Sequence, residues 1–387
     1  MRVLYLQATW VPPPQDFRAD RFVLLSDDLE GDVLHPVWYK EPQEVDAEFG
    51  AGASEEYHRG RFGFHWFLSL RYNGAVRKLL SILFYVRKGL ELHRQNPYQC
   101  IVVYSHMMPA LAALVLKALT GAKLVVEIMT APHLSFQYEH YPKRTFADRL
   151  LRVYSDLSLH LSVLLCDRVH LLYPHQLGAY PLLRKKPCSI FHDFVPVSLI
   201  PPLEGEREKV VLFVGSPWFL KGVDLLVEAF KRISGEFPDV QLRIVGHMDK
   251  PAEMAALVEG FPRIEVIKGT PHPQTMAMIS RAMIMVLPSR CEGLARVLIE
   301  GMSAGLPVIA TEVGGSSSCI RDGENGFVIP PEDVDALTAR LRQLLSDGEL
   351  REYMGSRGKK LAAEKYTEQV YKIHFTQMVS DTILGNP

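Results

Sequence analysis

Residues 283–310 read MIMVLPSRCEGLARVLIEGMSAGLPVIA, and this stretch decides the fold class. The apolar run at 283–287 predicts a buried strand, and the Pro-Ser pair after it predicts a turn. Residues 294–304 carry the apolar spacing of a helix, and 307–310 predict a second strand. A strand, a helix and a strand in this order form one βαβ unit of a parallel sheet.

The same alternation runs through both halves of the chain. In the second half, strands are predicted at 209–214, 240–245 and 264–267, and helices at 223–237, 252–259, 273–282, 333–345 and 349–365. In the first half, strands are predicted at 2–6, 99–104, 123–129 and 168–173, and helices at 75–94, 109–119 and 146–165. The sequence therefore predicts an α/β protein of two Rossmann-like doubly wound domains facing a cleft, with ligands at the carboxyl ends of the strands.

Length and composition agree with two globular domains. The Pro-rich segment 196–208 separates domains predicted at 1–200 and 201–365 of the 387 residues. Apolar residues make up 48% and the net charge is −1, which argues against a disordered chain and against nucleic-acid binding through overall positive charge. Five cysteines without paired short spacing suggest a reducing compartment, and we expect neither a secretory signal nor a membrane-spanning helix.

Two glutamates flank the start of the helix predicted at 294–304. Glu292 lies at or just before its first turn, and Glu300 follows eight residues later. The N–H groups of Gly293, Leu294 and Ala295 are expected to be unpaired there and to suit an anion such as a diphosphate. The alternative is an ordinary helix start, where Glu292 is favourable at the positive end of the helix dipole.

A second loop, Gly215–Gly222, reads GSPWFLKG after the strand predicted at 209–214. Lys221 at its end can reach an anion at the edge of the sheet as a point charge. The alternative is a solvated lysine beside a glycine that shapes the turn.

Glu292 and Glu300, followed by GLPVIATEVGG at 305–315 and DGENG at 322–326, form a specific series. In this order and spacing it resembles the donor-binding half of the retaining glycosyltransferases of family 4, which have the GT-B fold. The resemblance is strong over 209–365 and weak over 1–200. It implies that 201–365 bind a nucleotide-sugar donor, that 1–200 bind the acceptor, and that 366–387 pack back on the first domain.

The resemblance also implies roles for residues of the second half. Glu292 would contact hydroxyls of the transferred sugar, Glu300 would hold the nucleotide ribose, and backbone N–H groups from Gly293 to Arg296 would cradle the diphosphate. Lys221 matches a lysine that binds the diphosphate in the loop that begins at Gly215. Ser216 departs from the family, which usually has an arginine there.

Arg296 is our candidate for the missing positive charge at Ser216, and the alternative is that Arg296 simply faces solvent. If Arg296 has this role, its replacement by alanine raises the donor KM far more than replacement of Arg290.

The first half offers weaker candidates. The resemblance implies that His106 faces the donor sugar; the alternative is a histidine bonded within its own loop. Glu127 and His133 match the family pattern poorly, and a site role is left open for both. The 14 histidines show no metal-binding spacing, so we expect no metal and no cofactor, the nucleotide-diphosphate sugar being a substrate.

The resemblance thus implies a metal-independent hexosyl transfer from a nucleotide-diphosphate sugar to a hydroxyl acceptor, glycan or lipid-linked, with retention at the anomeric carbon. Two alternatives are open. One is a catalytically silent sugar-nucleotide-binding or scaffold protein, which Ser216 favours. The other is a different enzyme on the same fold, such as a nucleotide-sugar epimerase.

Charge is strongly patterned between 41 and 94. Residues 41–56 carry six Asp and Glu, whereas 59–94 carry eight Lys and Arg against Glu91 alone, together with many aromatic residues. Basic residues interleaved with aromatic ones predict contact with an anionic membrane surface. The alternative is a core-facing helix with a solvated basic face. The expected localisation is cytoplasmic, with peripheral attachment at the inner face of the membrane.

Overall fold

The computed structural model describes residues 1–7, 20–37, 43, 57–68, 74–105, 107–129, 146–247 and 250–386. They divide into two compact units. The first contains the described residues up to Phe191 together with 371–386, and the second contains 192–370.

The first unit is an eight-stranded sheet with helices. Its strands are β1 (Arg2–Leu6), β2 (Glu30–Val37), β3 (Tyr57–Arg59), β4 (Phe62–Leu68), β5 (Cys100–Val103), β6 (Lys123–Ile128), β7 (Arg168–Leu171) and β8 (Cys188–Ile190). Its helices are α1 (Arg21–Leu25), α2 (Gly74–Gln95), α3 (Met108–Thr120), α4 (Phe146–Leu165) and α5 (Gln176–Ala179), with a 3₁₀ helix at Pro181–Lys185. The strand order is β3-β4-β2-β1-β5-β6-β7-β8, and only the β3–β4 pair among these is antiparallel.

Continuous apolar runs form two neighbouring strands of this sheet: all four residues of β5 are buried, as are the last four of β1. The four residues of β7 are buried as well, but they include Arg168 and His170. Strands covered by helices on both faces have this composition, since neither face meets water. These strands were predicted, and the structure confirms them.

Strands β2, β3 and β4 were not predicted. The segment that forms β2, EGDVLHPV, contains Gly, Asp and Pro, which are depleted in strands. Strand β4 lies in the basic aromatic stretch 59–94, which begins at the last residue of β3. Phe62 and Phe64 of β4 are buried, as is Tyr85 of α2, whereas Val76, Leu79 and Leu83 of α2 are exposed. Within the described part of 59–94, exposed large apolar side chains therefore belong to α2.

The second unit is a six-stranded sheet whose strand pairs are all parallel, in the order β11-β10-β9-β12-β13-β14. Its strands are β9 (Val210–Val214), β10 (Gln241–Gly246), β11 (Ile264–Lys268), β12 (Ile284–Leu287), β13 (Val308–Thr311) and β14 (Gly326–Ile329). Its helices are α6 (Val223–Ile233), α7 (Pro251–Val258), α8 (His272–Arg281), α9 (Arg296–Ser303), α10 (Ser316–Cys319), α11 (Val334–Ser346) and α12 (Gly348–Lys365), with a 3₁₀ helix at Val197–Leu199. A last helix, α13 (Glu368–Leu384), follows.

The predicted fold class, two doubly wound α/β domains, is confirmed by these two sheets. All five cysteines are free thiols. In the part of the chain that the structure describes, no helix combines the length and the apolar character needed to span a bilayer.

Candidate functional site

Three loops of the second unit follow neighbouring strands. Gly215–Gly222 follows β9, 288–295 follow β12, and 312–315 follow β13. Because β9, β12 and β13 are adjacent and parallel, these loops leave the same edge of the sheet. Ligands of open α/β sheets bind at this edge.

Lys221 and Glu292 meet where the first two loops approach each other. The Nζ atom of Lys221 donates to Oε1 of Glu292 at 2.6 Å, and Ser289 Oγ donates to the same oxygen at 2.9 Å. Glu292 is buried, and the Lys221 side chain is 22% exposed. An ammonium has three N–H groups, so this ion pair leaves Lys221 able to bind a further acceptor.

Glycines make this approach sterically feasible. Gly222 has φ 69°, and a Cβ on it would lie 2.0 Å from the Pro288 carbonyl oxygen. Gly314 has φ 56°, and a Cβ on it would lie 2.0 Å from the Glu292 carbonyl oxygen. The next N–H, of Gly315, donates to the Gly293 carbonyl at 2.6 Å. The Gly-Gly pair of the sequence series thus supports the backbone of Glu292.

The helix after this loop starts later than predicted. Helix α9 begins at Arg296, and Ala295 before it is extended, with φ −77° and ψ 92°. Gly293, Leu294 and Ala295 therefore belong to the loop and not to the first helical turn. Within the described residues, the N–H groups of these three donate no hydrogen bond. The predicted free donors are present, although their origin is loop geometry.

Glu300 lies inside α9 and is buried. Its Oε1 is 3.6 Å from Nε2 of His272, which begins helix α8 and is about half exposed. No hydrogen bond to the Glu300 carboxylate is present within the described residues. This leaves acceptor positions for the hydroxyl groups of a ligand.

Arg290, which the sequence analysis used only for comparison with Arg296, is the centre of a buried hydrogen-bond network. Its guanidinium makes five hydrogen bonds: to Asp224 at 2.7 and 2.7 Å, to Glu332 at 2.6 and 3.1 Å, and to the Phe219 carbonyl at 2.5 Å. Its side chain is 6% exposed. Arg290 thus fastens the loop 288–295 to the loop Gly215–Gly222. The only sequence signal was its position after the Pro-Ser turn.

Ser216 and Arg296, the departure from the family and its expected replacement, are both exposed. The Arg296 guanidinium lies 5.9 Å from the ring centre of Phe194. Within the described residues it has no acidic partner, so its charge is available to a ligand. Gly215, which precedes Ser216, donates its N–H to the Val245 carbonyl at 2.9 Å.

The sequence analysis named three further candidates in the first half of the chain. His106 and His133 lie outside the described residues. Glu127 is fully buried in β6, where its carboxylate accepts from the Tyr5 hydroxyl and contacts Nδ1 of His170 at 2.9 Å. Its two oxygens are used inside the core, so Glu127 supports the fold. Across the described ranges, no three His, Cys, Asp or Glu side chains cluster as metal ligands would.

Comparison with known proteins relates the second half of the chain to a family. The model of the family described as "Glycosyl transferases group 1" matches residues 200–361. An uncharacterised glycosyltransferase of Methanocaldococcus jannaschii is 32% identical over 167 residues, which cover 42% of this chain. The aligned part spans 47% of that protein's length, somewhat less than half.

Two solved structures share the fold of the chain. Sucrose-phosphate synthase from Thermosynechococcus elongatus superposes with a TM-score of 0.79 at 17% identity, covering 99% of this chain and 100% of that one. Anabaena HepE in complex with UDP-glucose gives a TM-score of 0.70 at 15% identity, with 99% of each chain covered. Residues 200–361 therefore match the model of the group 1 glycosyltransferase family, and the fold of the chain is that of the GT-B glycosyltransferases.

Proposed function

We propose that the protein transfers a sugar from a nucleotide-diphosphate sugar to a hydroxyl of an acceptor. One observation carries the proposal: Lys221 and Glu292 meet on adjacent loops, directly before three backbone N–H groups that have no acceptor in the described structure. A diphosphate needs a cation and N–H donors, and sugar hydroxyls need a carboxylate. The family match of this segment and the HepE complex with UDP-glucose support a nucleotide-sugar donor.

Each group has a place in this proposal. The leaving diphosphate gains negative charge in the transition state, and Lys221, the N–H groups of Gly293 to Ala295 and Arg296 stabilise it. Glu292 binds hydroxyls of the transferred sugar, and Glu300 binds the ribose. Arg290 positions the two loops without touching the donor.

The finer features of the reaction follow from the resemblance. We propose retention at the anomeric carbon without a covalent enzyme intermediate, a hexosyl group as the transferred sugar, and His106 facing that sugar. We also propose that the reaction needs neither a metal nor a cofactor, because cationic side chains supply the positive charge. The acceptor is a glycan or a lipid-linked hydroxyl at the cytoplasmic face of a membrane.

The first experiment is a thermal-shift screen of nucleotide sugars on the full chain, since a ligand that binds the folded state raises Tm. We expect a shift with one nucleotide sugar and release of the nucleoside diphosphate when acceptor extract is added. Proton NMR of the product distinguishes retention from inversion, and a chelator in the assay tests metal independence. If no nucleotide sugar changes Tm, the proposal is wrong.

A silent donor-binding protein is the second candidate. It is favoured by the exposed Ser216 in place of the family's arginine and by the engagement of Lys221 with Glu292. A Tm shift without transfer to any acceptor extract and without donor hydrolysis would select it.

A further inference from the structure

Helix α4 of the first unit exposes the side chains that a helix usually buries. An outward stripe of six apolar residues runs its whole length, each residue 43–75% exposed: Phe146, Leu150, Val153, Leu157, Leu161 and Leu164. Their spacing of three and four residues keeps them on one face, and at 1.5 Å per residue the stripe is about 27 Å long.

The inner face of the same helix is partly polar. Ser158 and Ser162 are buried there; Ser162 Oγ donates to the Ser158 carbonyl at 2.6 Å, and Ser158 Oγ donates to the Met107 carbonyl at 3.3 Å. Leu159 and Val163 supply the core contacts. The outer apolar stripe is therefore not needed for packing against the rest of the unit. An exposed apolar stripe of this size indicates an interaction surface.

The surroundings of the stripe are strongly basic. Helices α2, α3 and α4 pack side by side, and the 3₁₀ helix Pro181–Lys185 packs against α4. The segments 74–95, 108–123, 146–167 and 181–186 carry twelve Lys and Arg against four Asp and Glu, a net charge of +8. We call this set of segments the basic layer. At the end of α4, Lys117 donates to the Leu165 carbonyl at 2.8 Å, and Lys186 donates to the Leu164 carbonyl at 2.7 Å.

Charge decides between the partners that an apolar stripe fits. A second copy of this chain would bring an identical layer of +8 against the first, and like charges across an interface oppose association. An anionic lipid surface attracts Lys and Arg and also accepts apolar side chains between its headgroups.

We propose that the outer face of α4 inserts into an anionic membrane surface and that the basic layer holds it there. This places the membrane contact on α4, and α2, which packs against α3, is the described part of 59–94 that contributes. The inference rests on the proposed function only for its purpose, which is to bring the enzyme to a lipid-linked acceptor.

The test is flotation of the full-length protein with vesicles of phosphatidylcholine alone or of phosphatidylcholine mixed with phosphatidylglycerol. We expect flotation with the mixed vesicles only and its loss as salt is raised. The variant Leu150→Gln/Leu157→Gln should weaken partitioning about tenfold or more, because two apolar insertions are lost. Ile373→Gln/Leu384→Gln is the matched control. These residues are 56% and 70% exposed on α13, and their replacement should leave flotation unchanged.

A second variant pair tests the charges. Arg184→Gln/Lys185→Gln removes two cations beside α4 and should weaken binding to the mixed vesicles, whereas Lys359→Gln/Lys360→Gln removes two exposed cations of the second unit and should not. The inference is overturned if the protein ignores the mixed vesicles or if Leu150→Gln/Leu157→Gln floats as well as wild type. If sedimentation shows a dimer of the wild type and Leu150→Gln/Leu157→Gln dissociates it, the stripe binds a second copy of the chain instead.

The same preparations separate this inference from the proposed function. A nucleotide-sugar Tm shift without flotation defeats the membrane inference alone. Flotation without any nucleotide-sugar shift defeats the proposed function alone.

Discussion

Two buried glutamates, one in each unit, differ in how many of their carboxylate oxygens have a partner. Glu127 lies in β6 itself, and both of its carboxylate oxygens are used: one contacts His170 Nδ1 at 2.9 Å, and the other accepts from Tyr5. Glu292 lies in the loop after β12. Its Oε1 receives Lys221 and Ser289, and its Oε2 has no partner within the described residues.

The difference follows from position: Glu127 lies inside a strand, whereas Glu292 lies in a loop beyond the end of one. A carboxylate still inside the sheet has neighbouring strands to satisfy it, and leaving it unpaired there would be costly. In a loop beyond the end of a strand, as at Glu292, a carboxylate can keep an oxygen free for a ligand. We therefore expect changes at Glu127 to reduce stability and changes at Glu292 to reduce activity.

The largest expected effect is at Glu292. Glu292→Gln keeps the shape of the side chain but removes its charge, so we expect kcat to fall by about two to three orders of magnitude. Tm should stay within a few degrees of wild type, because the loop is held by Gly314 and Arg290. Steady-state kinetics and a melting curve measure both quantities. Full activity in Glu292→Gln would remove this residue from the site.

Glu127→Ala should reduce stability and leave donor binding intact. It leaves His170 and Tyr5 without their buried partner, so the free energy of unfolding should fall by about 3 kcal/mol in urea denaturation. Donor binding to the folded fraction should persist, because the donor groups lie in the second unit. Wild-type stability combined with a kcat as low as that of Glu292→Gln would contradict the distinction between the two glutamates.

Within the second unit, Arg290 and Arg296 should show the same contrast between an effect on stability and an effect on activity. Arg290→Ala leaves Asp224 and Glu332 without their shared partner, and we expect a loss of about 2 kcal/mol of stability. Arg296→Ala removes an exposed charge, so we expect an unchanged Tm and a donor KM about tenfold higher. If Arg290→Ala and Arg296→Ala were equally stable and changed the donor KM equally, Arg296 would merely face solvent.

The smallest expected effect is a gain. Ser216 is exposed, so Ser216→Arg can carry a guanidinium toward the diphosphate without crowding the core. We expect the donor KM to fall about threefold. Ser216→Gln, which has a long polar side chain without the charge, serves as the control and should leave KM unchanged. A higher KM in Ser216→Arg would mean that this loop does not face the diphosphate.

The sequence predicted what is local and repetitive. The runs VVLFV and IMVL became β9 and β12, and the spacing of Glu292 and Glu300 located the edge of the sheet that holds the candidate site. Strand β2 was missed because its Gly, Asp and Pro residues are depleted in strands. Strand β4 is mostly aromatic and was missed because its residues were interpreted as part of a basic, aromatic membrane-contact stretch.

Contacts distant in sequence could not be predicted. Lys221 and Glu292 are 71 positions apart, and their ion pair depends on two loops that only the folded sheet brings together. The role of Arg290 depends on Asp224 and Glu332 in the same way. The start of α9 at Arg296 was missed for a different reason: Ala295 favours helices but is extended here.

The ion pair between Lys221 and Glu292 has a consequence for donor binding at the site. Under the proposed function, an incoming diphosphate meets an ammonium that already has an internal carboxylate as its counterion. The diphosphate would bind the N–H groups of Lys221 that the ion pair leaves free. Because the pair is nearly neutral before the donor arrives, donor affinity should respond less to ionic strength than it would at a solvated lysine.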